Sequence, residues 1–306
     1  MRTVFKNCTL LDGTLDMQPK PGTDVAIENG IITEIGSIAP KSGDEVIDLT
    51  GKYLMPGLIN LHVHLPAGGK PKNKPLKADK LAKLALSSSV MREIVIKICQ
   101  DYAMQGLMSG VTTVRAVGGL GDFDTTLRNR INAGKAEGPR ILAADYAIGV
   151  PNGHMVGSVA RAAKTPEEAV KMVDDLNSHG VDLIKLMITG GVMDAKVKGE
   201  PGRLMMQADM IKACCDRAHK YGLKVAAHVQ SPEGVRTALK IYQAEKRPAA
   251  HELPVGTIRT DRKSYIDIAV EDGYLRLLSV QLAGKKRLPV TDFLNGFKQI
   301  GEYKVD

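Results

Sequence analysis

The chain has 306 residues, of which 43% are hydrophobic and 25% are charged, a composition typical of a folded globular protein. Its formal net charge is +8, but its aromatic content is 4% without tryptophan, which argues against an aromatic stacking surface for nucleic acid. The sequence contains no apolar run of membrane-spanning length, no signal peptide and no paired cysteine spacing, so we expect a cytoplasmic protein with reduced thiols and no membrane contact.

Residues 1–57 form a region of short stretches in which apolar and polar side chains alternate. Such alternation, with turn residues between the stretches, predicts a small antiparallel β domain. The pair Asn29-Gly30 separates two of these stretches and indicates a hairpin.

A short segment, residues 58–64, carries a pair of histidines. It follows a Pro56-Gly57 turn and is almost wholly apolar, which predicts a buried strand. Because side chains alternate across a strand, His62 and His64 lie on the same face and could bind one metal ion. A histidine pair at this spacing is by itself weak evidence for a metal site.

Lysines are concentrated directly after the histidine pair. They could line the entrance of a site and favour anionic substrates, or they could belong to a solvated loop and helix face. The lysines of this segment are Lys70, Lys72, Lys74, Lys77, Lys80 and Lys83.

From residue 58 to about residue 239, predicted strands alternate with predicted helices. This order predicts a parallel sheet, most simply a (β/α) barrel of the TIM type. Predicted strands begin near residues 58, 111, 140, 182 and 223, and the third covers 140–148. The first predicted helix covers 76–108, with Met91, Ile94, Val95, Ile98 and Tyr102 at helical spacing. Five strands are too few to close a barrel of eight, so we predict an incomplete one.

Lys185 lies within the apolar strand predicted to begin near residue 182. Burying an ammonium group is costly, and desolvation lowers its pKa and makes the amine more nucleophilic. Lys185 is therefore a candidate catalytic residue, although it could instead reach the end of the strand and pair with a carboxylate.

Three other residues lie at or near predicted strand ends. His228 ends the strand near residue 223 and is either a metal ligand or a buried histidine bound to the backbone. His154 follows the third strand, where a site histidine and an ordinary loop histidine are equally good interpretations. Arg115 lies within the second strand.

The motif Pro56-Gly-Leu-Ile-Asn-Leu-His-Val-His64 resembles the entry motif of the amidohydrolase superfamily. The stretch around Lys185 is similar to the branch that contains imidazolonepropionases and Xaa-Pro dipeptidases. The resemblance implies a β-sandwich portion at 1–57 and a truncated barrel at 58–239. It also implies hydrolysis of a C–N bond in a small amide, cyclic amide or dipeptide-like substrate.

The same resemblance implies roles for individual residues. His62, His64, Lys185 and His228 would bind one or two divalent metal ions, with zinc the expected metal, and Lys185 would be carbamylated. His154 and Arg115 would lie near the substrate, with His154 also a candidate catalytic residue. The histidine of the sixth strand and the aspartate base of the eighth strand have no counterpart here.

The tail, about 240–306, contains short predicted strands, the first near Ile241, and a closing helix. Glu252-Leu-Pro-Val-Gly-Thr-Ile258 and the stretch from Leu275 to Arg287 resemble the C-terminal domain of methionyl-tRNA formyltransferase. That resemblance implies a partial β-barrel of the oligonucleotide-binding (OB) type and weak tRNA contact. The expected phosphate ligands are Lys285, Lys286 and Arg287, unless they form an ordinary solvated turn.

The two resemblances together describe a fusion. Because the last three barrel strands are missing, we expect impaired hydrolysis. The alternatives are tRNA or RNA binding through the tail and a fusion without function. The sequence is compatible with a homo-oligomer.

Overall fold

A computed structural model describes residues 1–68, 78–191, 202–242, 244–280 and 288–296. The chain divides into two compact units. Unit 1 comprises Met1–Ile59 and Leu107–Thr113, and unit 2 comprises Asn60–Gly106 and Val114–Asp306. Within the described ranges, no helix combines the length and apolarity needed to span a bilayer.

Unit 1 contains a mixed β-sheet. Its strands are β1 (Arg2–Leu10), β2 (Lys20–Glu28), β3 (Ile31–Gly36), β4 (Glu45–Asp48) and β5 (Tyr53–Leu54). The strands β1, β2 and β3 are antiparallel, and the predicted hairpin at Asn29-Gly30 is present with φ angles of 51° and 75°. However, β4 and β5 pair with β1 in parallel, so the purely antiparallel prediction is wrong. The reason is that β4 lies on the other side of β1 from β2, which requires a crossover instead of a second hairpin.

Strands and helices alternate from residue 58 to residue 242, whereas the sequence predicted this alternation to about residue 239. The strands are β6 (Leu58–Val63), β7 (Val111–Ala116), β8 (Arg140–Ala143), β9 (Ala147–Gly149), β10 (Ala160–Ala162), β11 (Leu183–Met187) and β12 (Lys224–His228). The helices are α1 (Ala78–Ala85), α2 (Ser89–Met108), α3 (Phe123–Asn132), α4 (Pro166–Ser178), α5 (Ala208–Lys220) and α6 (Pro232–Tyr242).

These strands form two sheets, with the orders β6-β7-β8 and β10-β9-β11-β12. The strand predicted over 140–148 is divided at Asp145, whose φ of 54° breaks the extended backbone between β8 and β9. Backbone hydrogen bonds still connect this segment to the chain on both of its sides. Ala144 N–H donates to the carbonyl of Ala116, and Asp182 N–H donates to the carbonyl of Ala143. The described residues form an open parallel α/β arrangement and no closed barrel.

Burial differs strongly between the centre and the edge of this arrangement. Every residue of β11 is buried, and Ile184 and Leu186 pack with apolar side chains of α4 and α5. In contrast, residues Leu58 to His62 of β6 are exposed. The prediction of a buried strand at 58–64 is therefore wrong, because among the described residues β6 is an edge strand with a neighbour on one side.

The first predicted helix, 76–108, is interrupted between Ala85 and Ser89, and the two parts are α1 and α2. Within α2 the buried residues are Ile96, Cys99 and Ala103, whereas Ile94 and Ile98 are exposed. The spacing of the apolar residues correctly predicted a helix, but Ile94 and Ile98 lie on its exposed face and not on its buried face. Because α2 carries apolar residues on two sides, periodicity could not distinguish them.

The tail contains the strands β13 (Ala244–Pro248), β14 (Ile258–Thr260), β15 (Ile266–Val270), β16 (Gly273–Leu277), β17 (Ser279–Val280) and β18 (Leu288–Pro289), and the helix α7 (Val290–Gly296). Four strands form an antiparallel sheet in the order β13-β16-β15-β14, and Ile266 packs against Val290, Phe293 and Leu294. The prediction of a strand near Ile241 is wrong. The helix α6 continues to Tyr242, because no proline or glycine after Gly234 ends it earlier.

Candidate metal centre

The two histidines at the end of β6 lie side by side, with their ring centroids 5.4 Å apart and the rings inclined at 65°. The Nδ1 of His64 donates a hydrogen bond to the carbonyl of Gly118 at 2.8 Å, which leaves Nε2 as the nitrogen with a free lone pair. Gly118 has a φ of +136°, and a Cβ at this position would come within 3.1 Å of the His64 ring. A glycine after β7 therefore makes room for this imidazole.

Lys185 occupies the middle of β11 and is 2% exposed. Burial lowers the pKa of its ammonium group to about 8, and the charge of Arg115 contributes to the same shift. Arg115 is held near β6, because its Nε donates to the carbonyl of Leu61 at 2.8 Å. Lys185 thus has a larger fraction of neutral, nucleophilic amine than an exposed lysine has at the same pH.

His228 ends β12, in register with Met187 of β11. Burial, together with the charges of His154 and Lys185, lowers its pKa to about 4. Its ring stacks on that of His154, with centroids 4.1 Å apart and an angle of 22°. The Nε2 atom of His228 is buried without a hydrogen-bond partner, which makes this nitrogen a candidate ligand atom.

Lys185 influences all three predicted histidine ligands. Its positive charge lowers the pKa of His62, His64 and His228, although burial is the largest cause for each ring. However, within the described part of the chain, no group of three or more His, Cys, Asp or Glu side chains is arranged to hold a metal ion. The structure therefore places one histidine pair at β6 and another at His154 and His228, without an assembled set of ligands.

The donor atoms fit a divalent ion in their chemistry. The lowered pKa values favour neutral imidazoles, the form that binds metals, and His228 offers an unpartnered nitrogen. His64 has the supporting hydrogen bond that metal-binding histidines commonly make through their second nitrogen. The chemistry of these side chains therefore suits a divalent metal ion.

Other sequence predictions fall outside this region. The basic residues Lys285, Lys286 and Arg287 lie outside the described residues, as do Lys70, Lys72, Lys74 and Lys77. In the tail, Nε2 of His251 contacts the carbonyls of Val270 and Gly273 at 2.7 Å, and its Nδ1 accepts from Leu253 N–H. The backbone thus occupies both ring nitrogens of His251, which was not predicted as a ligand.

The sequence interpretation missed a pair of buried carboxyl groups near the start of α3. Asp145 accepts hydrogen bonds from the backbone and hydroxyl of Thr125, both at 2.9 Å. Asp124 is fully buried with no hydrogen-bond partner, and burial together with Asp145 raises its pKa well above the ordinary value. The sequence signal that could have identified Asp145 is its position within the otherwise apolar run from Ile141 to Ile148.

The described residues define an α/β protein of open parallel arrangement, with histidines near strand ends and a buried lysine in β11. Residues 53–251 match the family model described as the amidohydrolase family, and the chain belongs to that family. Residues 223–298 match the formyl transferase C-terminal domain, and the two matched regions overlap over 223–251. Both resemblances predicted from sequence are confirmed.

Solved structures support the same assignment. A protein from Bifidobacterium longum, described as a prolidase, is 32% identical with a TM-score of 0.62; the match covers 78% of this chain and 52% of that protein. An Xaa-Pro dipeptidase is 29% identical with a TM-score of 0.66, over 79% of this chain and 60% of that one. The chain thus spans between about half and three fifths of the length of these two proteins.

Among curated proteins, the tail matches methionyl-tRNA formyltransferases. The enzyme from Parabacteroides distasonis is 73% identical over 75 residues, which amount to 24% of this chain and 23% of that enzyme. The chain therefore shares about a quarter of the length of this relative.

Proposed function

We propose that the chain is a metal-dependent hydrolase of C–N bonds whose activity is impaired. The observation that supports this most directly is the buried Lys185, with its lowered pKa, acting on histidines from β6 and β12. Ionisable groups with perturbed pKa values occur preferentially at functional sites. The similarity to a dipeptidase favours a small amide or dipeptide-like substrate.

Lys185 has the chemistry needed to become a carbamate. Its neutral amine would attack carbon dioxide, forming an N–C bond and releasing one proton, and a carboxylate would replace an ammonium group. Arg115, whose charge already influences Lys185, would stabilise the new negative charge. Carbamylation thus converts a group that repels a cation into one that binds it.

In this proposal His62, His64, carbamylated Lys185 and His228 hold one or two divalent ions, with zinc the preferred metal. When bound, such an ion supplies a Lewis acid and lowers the pKa of its water. His154, stacked on His228, and Arg115 would orient the substrate carbonyl and its polar groups. Proton transfer to the leaving nitrogen lacks the aspartate that the family resemblance leads us to expect, and we propose weak turnover for this reason.

The test is to purify the full chain with zinc and bicarbonate, measure bound metal by emission spectroscopy, and assay Xaa-Pro dipeptides. We expect bound zinc in stoichiometric amounts and kcat/KM well below the ordinary enzyme range of about 10⁴–10⁸ M⁻¹ s⁻¹. Absence of zinc binding would refute the metal site. Turnover within the ordinary range would refute the impairment.

The tail supports a second candidate function, weak tRNA binding. The supporting observation is the 73% identity of 75 residues to a methionyl-tRNA formyltransferase. Lys285, Lys286 and Arg287 would contact phosphates, and such contacts release counterions and make binding salt-dependent.

Filter binding of tRNA across a salt series tests this candidate. We expect affinity to fall as salt rises, and replacement of the three basic residues by glutamine to reduce the slope by about 3. Binding that does not depend on salt, or no binding at low salt, would exclude it. Failure of both this test and the metal test would favour a fusion without function.

A further inference from the structure

Hydrogen bonds around Thr189, the second residue after β11, connect the ends of β11 and β12. Thr189 is fully buried. Its N–H and the N–H of Ile188 both donate to the carbonyl of His228, at 3.4 and 3.1 Å. Its Oγ1 accepts a hydrogen bond from the N–H of Gln230 at 3.0 Å. The backbone and the hydroxyl of Thr189 therefore hold the chain at His228 and two residues after it.

The ring of His228 is bound by the residue that follows Thr189. Burial is the largest cause of its lowered pKa of about 4, whereas a hydrogen bond with the backbone of Gly190 acts in the opposite direction. A hydrogen bond that raises the pKa of an imidazole is one in which the ring N–H donates, so the carbonyl of Gly190 accepts. Because Nε2 of His228 has no hydrogen-bond partner, Nδ1 makes this bond and Nε2 keeps its lone pair.

The other side of this turn is covered by the segment 202–206. Gly190 N–H donates to the carbonyl of Arg203 at 2.9 Å, and Gly202 N–H donates to the carbonyl of Gln230 at 3.2 Å. A Cβ on Gly202 would overlap the carbonyl oxygen of Gly190, so this close approach requires glycine. The carbonyl of Gly190 and the hydroxyl of Thr189 therefore belong to one closely packed cluster.

We propose that Thr189 is a positioning residue for His228, because its hydroxyl fixes the chain that leaves β12 and thereby the direction in which the imidazole presents Nε2. This inference rests on the proposed metal-dependent function, since the direction of Nε2 matters for a metal ligand. Without the hydroxyl, the N–H of Gln230 would lose its acceptor and the turn after His228 would be less constrained. The His228 ring would then adopt more than one orientation and lose its fixed hydrogen bond to Gly190.

The first test is made on the metal-free full chain at neutral pH. Thr189→Val removes the hydroxyl and keeps the shape of the side chain, whereas Thr189→Ser keeps the hydroxyl. Heteronuclear NMR of the histidine rings identifies the protonated nitrogen of His228, whose signals are assigned with His228→Gln. We expect the proton on Nδ1 in the unaltered chain and in Thr189→Ser, and a mixture of both tautomers in Thr189→Val. The same tautomer in all three proteins, or a mixture in the unaltered chain, would overturn the proposal.

The second test is zinc affinity, measured by titration with a zinc-binding dye. Thr189→Val should reduce the affinity about tenfold, as for other changes to groups that support a ligand, and Thr189→Ser should restore most of it. Absence of zinc binding by the unaltered chain would refute the proposed function, and the NMR measurement would still decide the role of Thr189.

Val173→Thr is the matched control, because it makes the reverse change of similar shape at a fully buried position of α4. This variant should unfold at lower urea concentration, since it buries an added hydroxyl, and it should keep both the His228 tautomer and the zinc affinity. A loss of zinc affinity in Val173→Thr equal to that in Thr189→Val would assign the effect to general destabilisation and overturn the proposal.

Discussion

The strands β11 and β6 place candidate site residues in contrasting surroundings. Lys185 lies in β11, where all side chains are buried, whereas His62 lies in β6, where nearly all are exposed. Lys185 is positioned by packing on both faces of β11 and by hydrogen bonding of β11 to a strand on each edge. The resulting burial lowers the pKa of its ammonium group to about 8. The sheet that contains β11 therefore positions its candidate site residue more completely than the sheet in which β6 is the end strand.

The largest effect is expected for Lys185→Met, which removes the amine and keeps a long apolar side chain. Zinc-dependent hydrolysis should fall at least about 1000-fold, because neither a carbamate nor a buried amine remains. The metal-free variant should unfold at higher urea concentration, because a buried ammonium is costly. Lys224→Met, at the exposed start of β12, is the control and should retain both activity and stability. Equal losses in the two variants would contradict a special role for Lys185.

A comparison of two leucine truncations measures the difference in packing directly. Leu186 in β11 is fully buried, and Leu186→Ala should destabilise the protein by about 2–5 kcal/mol through lost contacts and a cavity. Leu61 in β6 is 52% exposed, and Leu61→Ala should change the free energy of unfolding by less than about 0.5 kcal/mol. Urea unfolding of both variants is the measurement. A large loss at Leu61 would show that β6 is covered in solution.

The pH dependence of the metal-free protein should distinguish His228 from the surface histidines. The folded pKa of about 4 lies below the ordinary value of 6.5, so protonation favours the unfolded chain. The contribution of His228 to stability is present above pH 6.5 and is lost as the pH falls toward 4. Urea midpoints at pH 7 and pH 5 should therefore differ less in His228→Gln than in the unaltered chain. The exposed His219, replaced by Gln, should leave the difference unchanged.

The smallest effect is expected when the glycine beside His64 is replaced. In Gly118→Ala, a Cβ would come within 3.1 Å of the imidazole, and zinc affinity should fall about tenfold, as for other changes to groups that support a ligand. Gly222→Ala is the control, because this glycine also has a positive φ, +72°, but open space around its Cβ. Gly118→Ala should also lose more stability than Gly222→Ala, because alanine adopts a φ near +72° more readily than one near +136°, and a titration with a zinc-binding dye measures the effect on binding separately. Equal zinc affinities would contradict a supporting role for Gly118.

Much of the arrangement was predictable from sequence. Strand and helix positions between 58 and 242 follow from periodicity, capping residues and glycines, as at α4, where Thr165 accepts from Glu168 N–H. The burial of Lys185 was predictable because its neighbours in the strand are apolar. The exposure of β6 was not predictable from the sequence, because the same apolar run is compatible with a strand that has one neighbour and with a strand that has two. The same limit explains the choice of the wrong face in α2.

The amino-acid sequence by itself determined the strand–helix order, the two family resemblances and the identity of the histidines and lysine. These depend on local patterns that residues carry wherever the chain places them. The tertiary structure decided which strand is central, which is an edge, and consequently which ionisable groups are desolvated. Those properties depend on neighbours distant in the chain: the pKa of Lys185 is lowered by burial within β11 and by Arg115 of β7. No local pattern records such contacts.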